Sequence, residues 1–172
     1  THEEKLGIAE LLDEMGVDII EAGFPISSAG DFKAVQEISR IVKRASICGL
    51  ARAGFKDIDR AGEALKGARR PRIHTFISTS PVHMKHKLNM GENAVLEAVG
   101  ASVTRARNYT SEVEWSAEDA TRTVPDFLCK CVDVAINAGA TVINVPDTVG
   151  YSTPQEYFEI IKMLRERVPN AD

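Results

Sequence analysis

Five segments of this chain mix apolar, strand-like sequence with polar side chains at regular alternation, and those polar residues are the ones able to do chemistry. Glu21, His74, Glu114, Ser116 and Asn144 sit among Ile, Val, Phe and Trp. Carrying the same alternation past the segment ends adds Arg52, Ser78, Glu118 and Thr148. Successive strand residues face opposite sides, so side chains two apart share a face. Carboxylates, an imidazole, hydroxyls and a guanidinium on one face can orient a polar substrate and move protons. The chain contains no G-x-G-x-x-G and no G-x-x-x-x-G-K-[ST], so the usual dinucleotide and phosphate-loop signatures are missing.

Positioning these residues requires a regular frame, and the hydrophobic periodicity supplies one. Leu6, Ala9, Leu12 and Met15 recur near a 3.6-residue period, predicting a helix over 3–15 that Gly16 ends. Strands are predicted over 17–25, 46–52, 72–78, 112–116 and 141–146, with helices over 31–43, 57–65, 92–108 and 125–137 between them. A last helix runs to about 167, with Ser152 or Thr153 as N-cap and Pro154 in its first turn. Short links between alternating strands and helices mean right-handed crossovers and a parallel sheet.

An open sheet covered by helices on both faces would be apolar at most of the polar positions named above. Polar residues gathered toward the C-terminal ends of successive parallel strands match the mouth of a barrel. The fold class is therefore α/β: a partial (β/α)8 TIM barrel, helix 1 through helix 6, with about five parallel strands. A complete barrel takes eight strands and about 250 residues. The missing strands would leave two sheet edges and apolar lining exposed, so the isolated chain is expected to self-associate or melt at low temperature.

The 172 residues carry 21 Lys and Arg against 25 Asp and Glu, a formal net charge of −4. That balance argues against a nucleic-acid partner, which calls for clustered positive charge. No apolar run approaches the roughly 20 residues a bilayer-spanning helix needs, so no membrane association is expected and the location is read as cytoplasmic. Cys48, Cys129 and Cys131 are an odd set in apolar surroundings, read as reduced core thiols without a disulfide. His83 and His86, beside Lys85 and Lys87, are read as part of a solvated loop or loop helix rather than a metal pair, and the basic run 66–72 as a solvated helix end.

Four segments carry a resemblance. DIIEAGFP (18–25), HTFISTS (74–80), EWSAED (114–119) and NVPDTVGY (144–151) resemble the barrel of the 2-isopropylmalate synthase family, related to the homocitrate and citramalate synthases. HMKHKL (83–88) is similar to the isopropylmalate branch. The resemblance implies that residues 1–172 are the central part of the catalytic barrel. The first strand, strands 7–8 and any regulatory domain would lie outside it. A Leu-Arg-Asp-Gly-x-Gln motif upstream of Thr1 and a His-x-His-Asn-Asp motif after Asp172 would supply the catalytic Arg and the Asp and His ligands of a divalent metal. That metal is Mg²⁺ or Mn²⁺, with Zn²⁺ as a third option, and no metal ligand is expected within this chain.

The reaction implied is a Claisen-type condensation of acetyl-CoA with 2-oxoisovalerate, yielding 2-isopropylmalate and CoA. The metal would act as a Lewis acid on the chelated 2-oxo acid. The resemblance places Glu118 at the substrate pocket as a catalytic carboxylate, Thr148 on the oxo-acid carboxylate, and His74 and Ser116 in the pocket. His74 is taken as catalytic as well. Glu21, Arg52 and Asn144 join as substrate-binding residues on strand alternation. Three bland readings stand beside these: a helix cap for Glu118 or Asp119, a turn or cap residue for Asp147, and a hydrogen-bonded core histidine for His74. A homodimer is expected of the full-length protein. The alternatives are a sister synthase taking pyruvate or 2-oxoglutarate, and a non-catalytic barrel module.

Overall fold

The computed structural model describes residues 1–171. Its main elements are α1 (His2–Met15), β1 (Ile19–Gly23), α2 (Ala29–Ile41), β2 (Ser46–Arg52), α3 (Phe55–Ala64) and β3 (Pro71–Ser78). They continue with α4 (Glu92–Arg107), β4 (Glu112–Glu118), α5 (Pro125–Asn137), β5 (Val142–Asn144) and α6 (Pro154–Arg167). Between β3 and α4 a helical turn, Pro81–His83, runs into a π-helical turn, Met84–Leu88. The five strands form one sheet in sequence order, every neighbouring pair parallel.

Local chemistry places the helix ends. Gly16 closes α1 in the left-handed conformation, φ 81°, which costs a glycine little. Thr153 caps α6 in a reciprocal capping box with Glu156, and Pro154 follows at the first helical position. Ser28 accepts from the Asp31 backbone N–H, so α2 starts two residues before the predicted 31.

The two sheet faces divide by parity. On the outer face Ile47, Ala51, Ile73, Ile77, Val113, Trp115 and Ala117 are buried against the helices, together with Val35, Ile58, Val99 and Leu128. Burial of this apolar area is the main stabilising term, at about 25 cal/mol per Å². The inner face carries Glu21, Cys48, Arg52, Arg72, His74, Ser78, Glu114, Ser116, Glu118 and Asn144.

Three strands have an end that differs from the sequence reading by two residues. β4 extends to Glu118 rather than Ser116 because β3 pairs with it that far, with Ser78 opposite Glu118. β5 spans only Val142–Asn144, since its ladder with β4 ends at the Ser116–Asn144 pair. β1 is Ile19–Gly23, its pairing with β2 shifting register between Glu21 and Gly23 and reaching as far as the Gly23–Gly49 pair. At the β1 side of the sheet Ile8, Leu11, Met15 and Ile19 expose apolar surface, Met15 by 78%.

Candidate active site

The inner face carries a continuous hydrogen-bonded row. Asn144 Nδ2 donates to Ser116 Oγ at 2.8 Å, Ser116 Oγ lies 2.5 Å from His74 Nε2, and His74 Nδ1 lies 2.6 Å from Glu21 Oε2. The ionised Glu21 carboxylate can only accept, which puts the donor at Nδ1 and leaves Nε2 to take the Ser116 proton. The neutral His74 ring then carries its proton on Nδ1 and donates it to Glu21. Four of the seven residues expected at a site are thereby joined: Glu21, His74, Ser116 and Asn144. The imidazole of His74 is only 11% exposed.

Strand stagger brings them together. Glu21 is opposite Cys48, which is opposite Arg72, and His74 lies two residues beyond Arg72. His74 is opposite Glu114, and Ser116, two residues further, is opposite Asn144. The row thus climbs about one residue per strand, the stagger of an eight-stranded barrel of shear 8. Glu21, His74 and Asn144 come from alternate strands, as a single layer across such a barrel does.

His74 also holds Glu21 in its charged form: the hydrogen bond lowers the carboxyl against the opposing effect of burial. Below the row, Arg72 pairs with Glu112 and Glu114 at 3.3 and 3.4 Å.

Glu118 ends β4 at the rim. Lys87 Nζ contacts both of its oxygens at 2.7 Å, and Ser78 Oγ donates to Oε2 at 2.7 Å. Burial pushes the Glu118 carboxyl up, and the bonds from Lys87 and Ser78, with the charges of Lys87 and His83, bring it below its usual range. The Asp119 backbone N–H donates to Thr148 Oγ1 at 2.9 Å, so the rim hydroxyl is tied to the turn that follows Glu118. Asp119 sits at φ 66°, fully buried, its carboxylate held by Arg122 at 2.8 Å and His83 at 3.0 Å. Burial raises that carboxyl too, and the Arg122 and Ser80 bonds turn the net shift downward.

Arg52, assigned to substrate binding on strand alternation, does not join the row. Its partner is Asp57 of α3, at 2.6 and 3.2 Å, with the Arg52 side chain 61% exposed. It shares with Glu118 a largely apolar cavity of about 360 Å³, lined also by Phe76, Ile77, Leu88 and Met90. Asp147 accepts from the Ser152 N–H and the Thr121 hydroxyl, which makes it a loop-closing residue. Of the two loop histidines, His86 is exposed as expected, whereas His83 turns in to Asp119 because that buried carboxylate needs partners.

Cys48 is buried as expected, but on the inner face, 3.8 Å from Glu21. Its parity with Arg52 carries that signal in the sequence. For Lys87 the sequence holds no such signal, since it lies outside every strand. Glu21, Cys48 and His74 also form a group of potential metal-binding atoms within 4.8 Å of one another. The donor set does not fit Mg²⁺ or Mn²⁺, which take oxygen ligands. Burial and the Glu21 and Glu114 charges raise the Cys48 thiol, while Glu21 and His74 are already bonded to each other.

A parallel sheet with barrel stagger, an apolar helix-covered face and a polar inner face rising to Glu118 defines a partial (β/α)8 barrel with a polar lumen. A family model described as HMGL-like matches residues 1–172, and the chain belongs to that family. It is 64% identical to a 2-isopropylmalate synthase of Bradyrhizobium sp. (strain BTAi1 / ATCC BAA-1182), over 172 residues. The corresponding protein of Rhodopseudomonas palustris (strain BisA53) is 66% identical over the same length. The chain is matched completely in both and spans 33% of each relative. The hydroxymethylglutaryl-CoA lyase of Pseudomonas aeruginosa shares the fold, with a TM-score of 0.78 at 18% identity, covering 98% of this chain and 58% of that one. The HMG-CoA lyase from Brucella melitensis superposes with a TM-score of 0.77 at 18% identity, covering 98% of this chain and 62% of its own. No helix among the described residues is long and apolar enough to cross a membrane.

Proposed function

We propose that residues 1–172 are the central part of the catalytic barrel of a 2-isopropylmalate synthase. The full-length protein would condense acetyl-CoA with 2-oxoisovalerate to 2-isopropylmalate and CoA, the entry reaction of leucine biosynthesis. The observation that carries this is the polar row from Glu21 to Asn144 beneath the Glu118 rim, in a chain matched along its whole length by synthases of that name. The remaining strands of the barrel would pair with the open edges at β1 and β5 and cover Ile8, Leu11 and Met15 of α1.

Within this reading each residue has a task. Glu118 takes a proton from the methyl carbon of the acetyl thioester, and that carbon bonds to the keto carbon of the oxo acid. The keto π pair moves onto its oxygen, which takes up a proton to become the hydroxyl of the product. Thr148, whose oxygen is engaged by the Asp119 N–H, keeps its own proton to donate to the oxo-acid carboxylate. His74 and Ser116, fixed by Glu21 and Asn144, shape the floor under the oxo-acid side chain, and His74 is placed to exchange protons there. Arg52, held by Asp57, stands at the rim as a cation for substrate. Water then hydrolyses the thioester and releases CoA. The divalent cation, the homodimer and the cytoplasmic location belong to the same proposal, with the metal ligands on strands outside this chain.

The test is CoA release by the complete gene product, offered acetyl-CoA with 2-oxoisovalerate, pyruvate or 2-oxoglutarate, with and without a chelator. Chelator-sensitive turnover preferring 2-oxoisovalerate is the expected result. Preference for pyruvate or 2-oxoglutarate moves the protein to a citramalate or homocitrate synthase, and no turnover with any of them overturns the reading.

A further inference from the structure

Lys87 is the least expected member of the rim. It comes from the π-helical turn Met84–Leu88, outside the sheet, yet its ammonium contacts both oxygens of the residue proposed to do the chemistry. A lysine ammonium has three N–H donors. Those of Lys87 reach Glu118 Oε1 at 2.7 Å, Glu118 Oε2 at 2.7 Å and Ser78 Oγ at 3.2 Å. The Ser78 hydroxyl donates a hydrogen bond to Oε2 at 2.7 Å.

The acceptor side closes equally well. An ionised carboxylate offers about four lone-pair positions, two on each oxygen. Oε2 accepts from both Lys87 and Ser78, and Oε1 accepts from Lys87 alone. One position therefore remains, on Oε1. The carrier of Lys87 is anchored on both sides: the Met84 N–H donates to the Ser80 carbonyl, the Met90 N–H to the Met84 carbonyl, and His83 holds Asp119. Leu88 and Met90 of the same segment, with Phe76 and Ile77, line the apolar cavity that reaches Glu118.

We propose that Lys87 is a positioning residue for the condensation: its ammonium clamps the Glu118 carboxylate so that Oε1 alone keeps a free lone pair to take the substrate's proton. This rests on the reading of Glu118 as the base. The apolar cavity wall by itself favours the neutral carboxylic acid, which cannot accept a proton, and the adjacent cation restores the ion. The groups that face Glu118 are Ser78 from β3, Lys87 and His83 from the helical turns, and the Asp119–Arg122 pair after β4. Arg52 of β2 lines the same cavity but is engaged by Asp57. Lys87 is the cation in direct contact.

The experiment is the pH dependence of kcat/KM and kcat for the complete gene product, comparing the native enzyme with K87M, K87R and E118Q. Methionine keeps the length and apolar stem of a side chain that is 47% exposed, so the fold is retained, and thermal melting checks this. K87M is expected to raise the acid limb of the profile by about one to two pH units, the effect of removing an opposite charge from a carboxylate. It is also expected to lower kcat on the plateau by about tenfold to a hundredfold as the base loses its orientation. K87R is expected to keep the acid limb where it was. A K87M enzyme with an unmoved limb and a raised KM for acetyl-CoA would show that Lys87 docks the thioester, and would overturn the clamp. A uniform loss of rate at every pH with an unmoved limb would overturn it too. E118Q at full rate would overturn the reading of Glu118 as base, and the clamp with it. An inactive E118Q beside an unmoved K87M limb would overturn the clamp alone.

Discussion

Ser116→Ala tests whether the inner row is a directed relay or a set of separate contacts. Ser116 is 4% exposed and links His74 Nε2 to Asn144 Nδ2. Removing its oxygen deletes two hydrogen bonds, each worth about 1 kcal/mol net, and leaves an imidazole nitrogen in an 11% exposed side chain without its partner. The sum is a destabilisation of about 2–3 kcal/mol. Asn144→Ala removes one bond and leaves the Ser116 hydroxyl still able to serve His74, so it should cost about 1 kcal/mol. The double variant should then fall short of the sum by about 1 kcal/mol, since the Asn144 partner is already gone in Ser116→Ala. Equilibrium urea denaturation of the complete gene product gives the four free energies. Additivity to within about 0.3–0.5 kcal/mol, or a Ser116→Ala variant as stable as the parent, would refute the relay through Ser116.

Three further outcomes follow from the same structure. A Cβ on Gly62 would lie 2.3 Å from Tyr109 Cδ1, so Gly62→Ala should cost about 1–3 kcal/mol in a melting experiment, and Tyr109→Ala in the same chain should recover part of it. Asp31, held by Lys5, Ser27 and Ser28, titrates at about 2 instead of 3.8, and the Glu21 and Glu118 carboxyls are also lowered. Folded carboxyls below their unfolded values give stability that is complete above the unfolded range and lost as pH falls through the folded values. Denaturation should therefore ease steadily from about pH 4.5 toward 2, and Asp31→Asn should flatten the lower part of that fall; an unchanged slope would exclude Asp31 as a contributor. Burial pushes the Cys131 thiol up to about 12 and raises Cys48 and Cys129, so all three should resist alkylation at pH 8 until the protein unfolds. A thiol that reacts at full speed in the native protein would contradict its placement.

Much of the architecture was open to inspection because it obeys short periods. The 3.6-residue pattern from Leu6 to Met15, Gly16 as a stop, and Thr153-Pro154 as a start are local statements, and the helices follow them. Alternation at period two sorted Ile73, Val113 and Trp115 to the covered face and His74, Glu114 and Ser116 to the other. The local pattern misplaced strand ends, putting the end of β4 at Ser116, because a strand continues as far as its neighbour offers partners, and β3 offers them to Ser78.

Parity in the sequence assigned Glu21, His74, Ser116 and Asn144 to one face, but many residues share that face, and parity cannot say which of them touch. Contact depends on how far each strand slides past the next, a quantity set by closing tilted strands around an axis and by the helices packed outside them. The tertiary structure decided that Glu21 and His74, 53 residues apart, lie 2.6 Å from each other. It also placed Arg52 with Asp57, and carried Lys87 from a π-helical turn to Glu118. Periodicity is a property of one segment's own backbone, whereas stagger and long-range pairing belong to several segments at once, so the side-chain faces were written in the chain and the site's contacts arose only when the sheet was assembled.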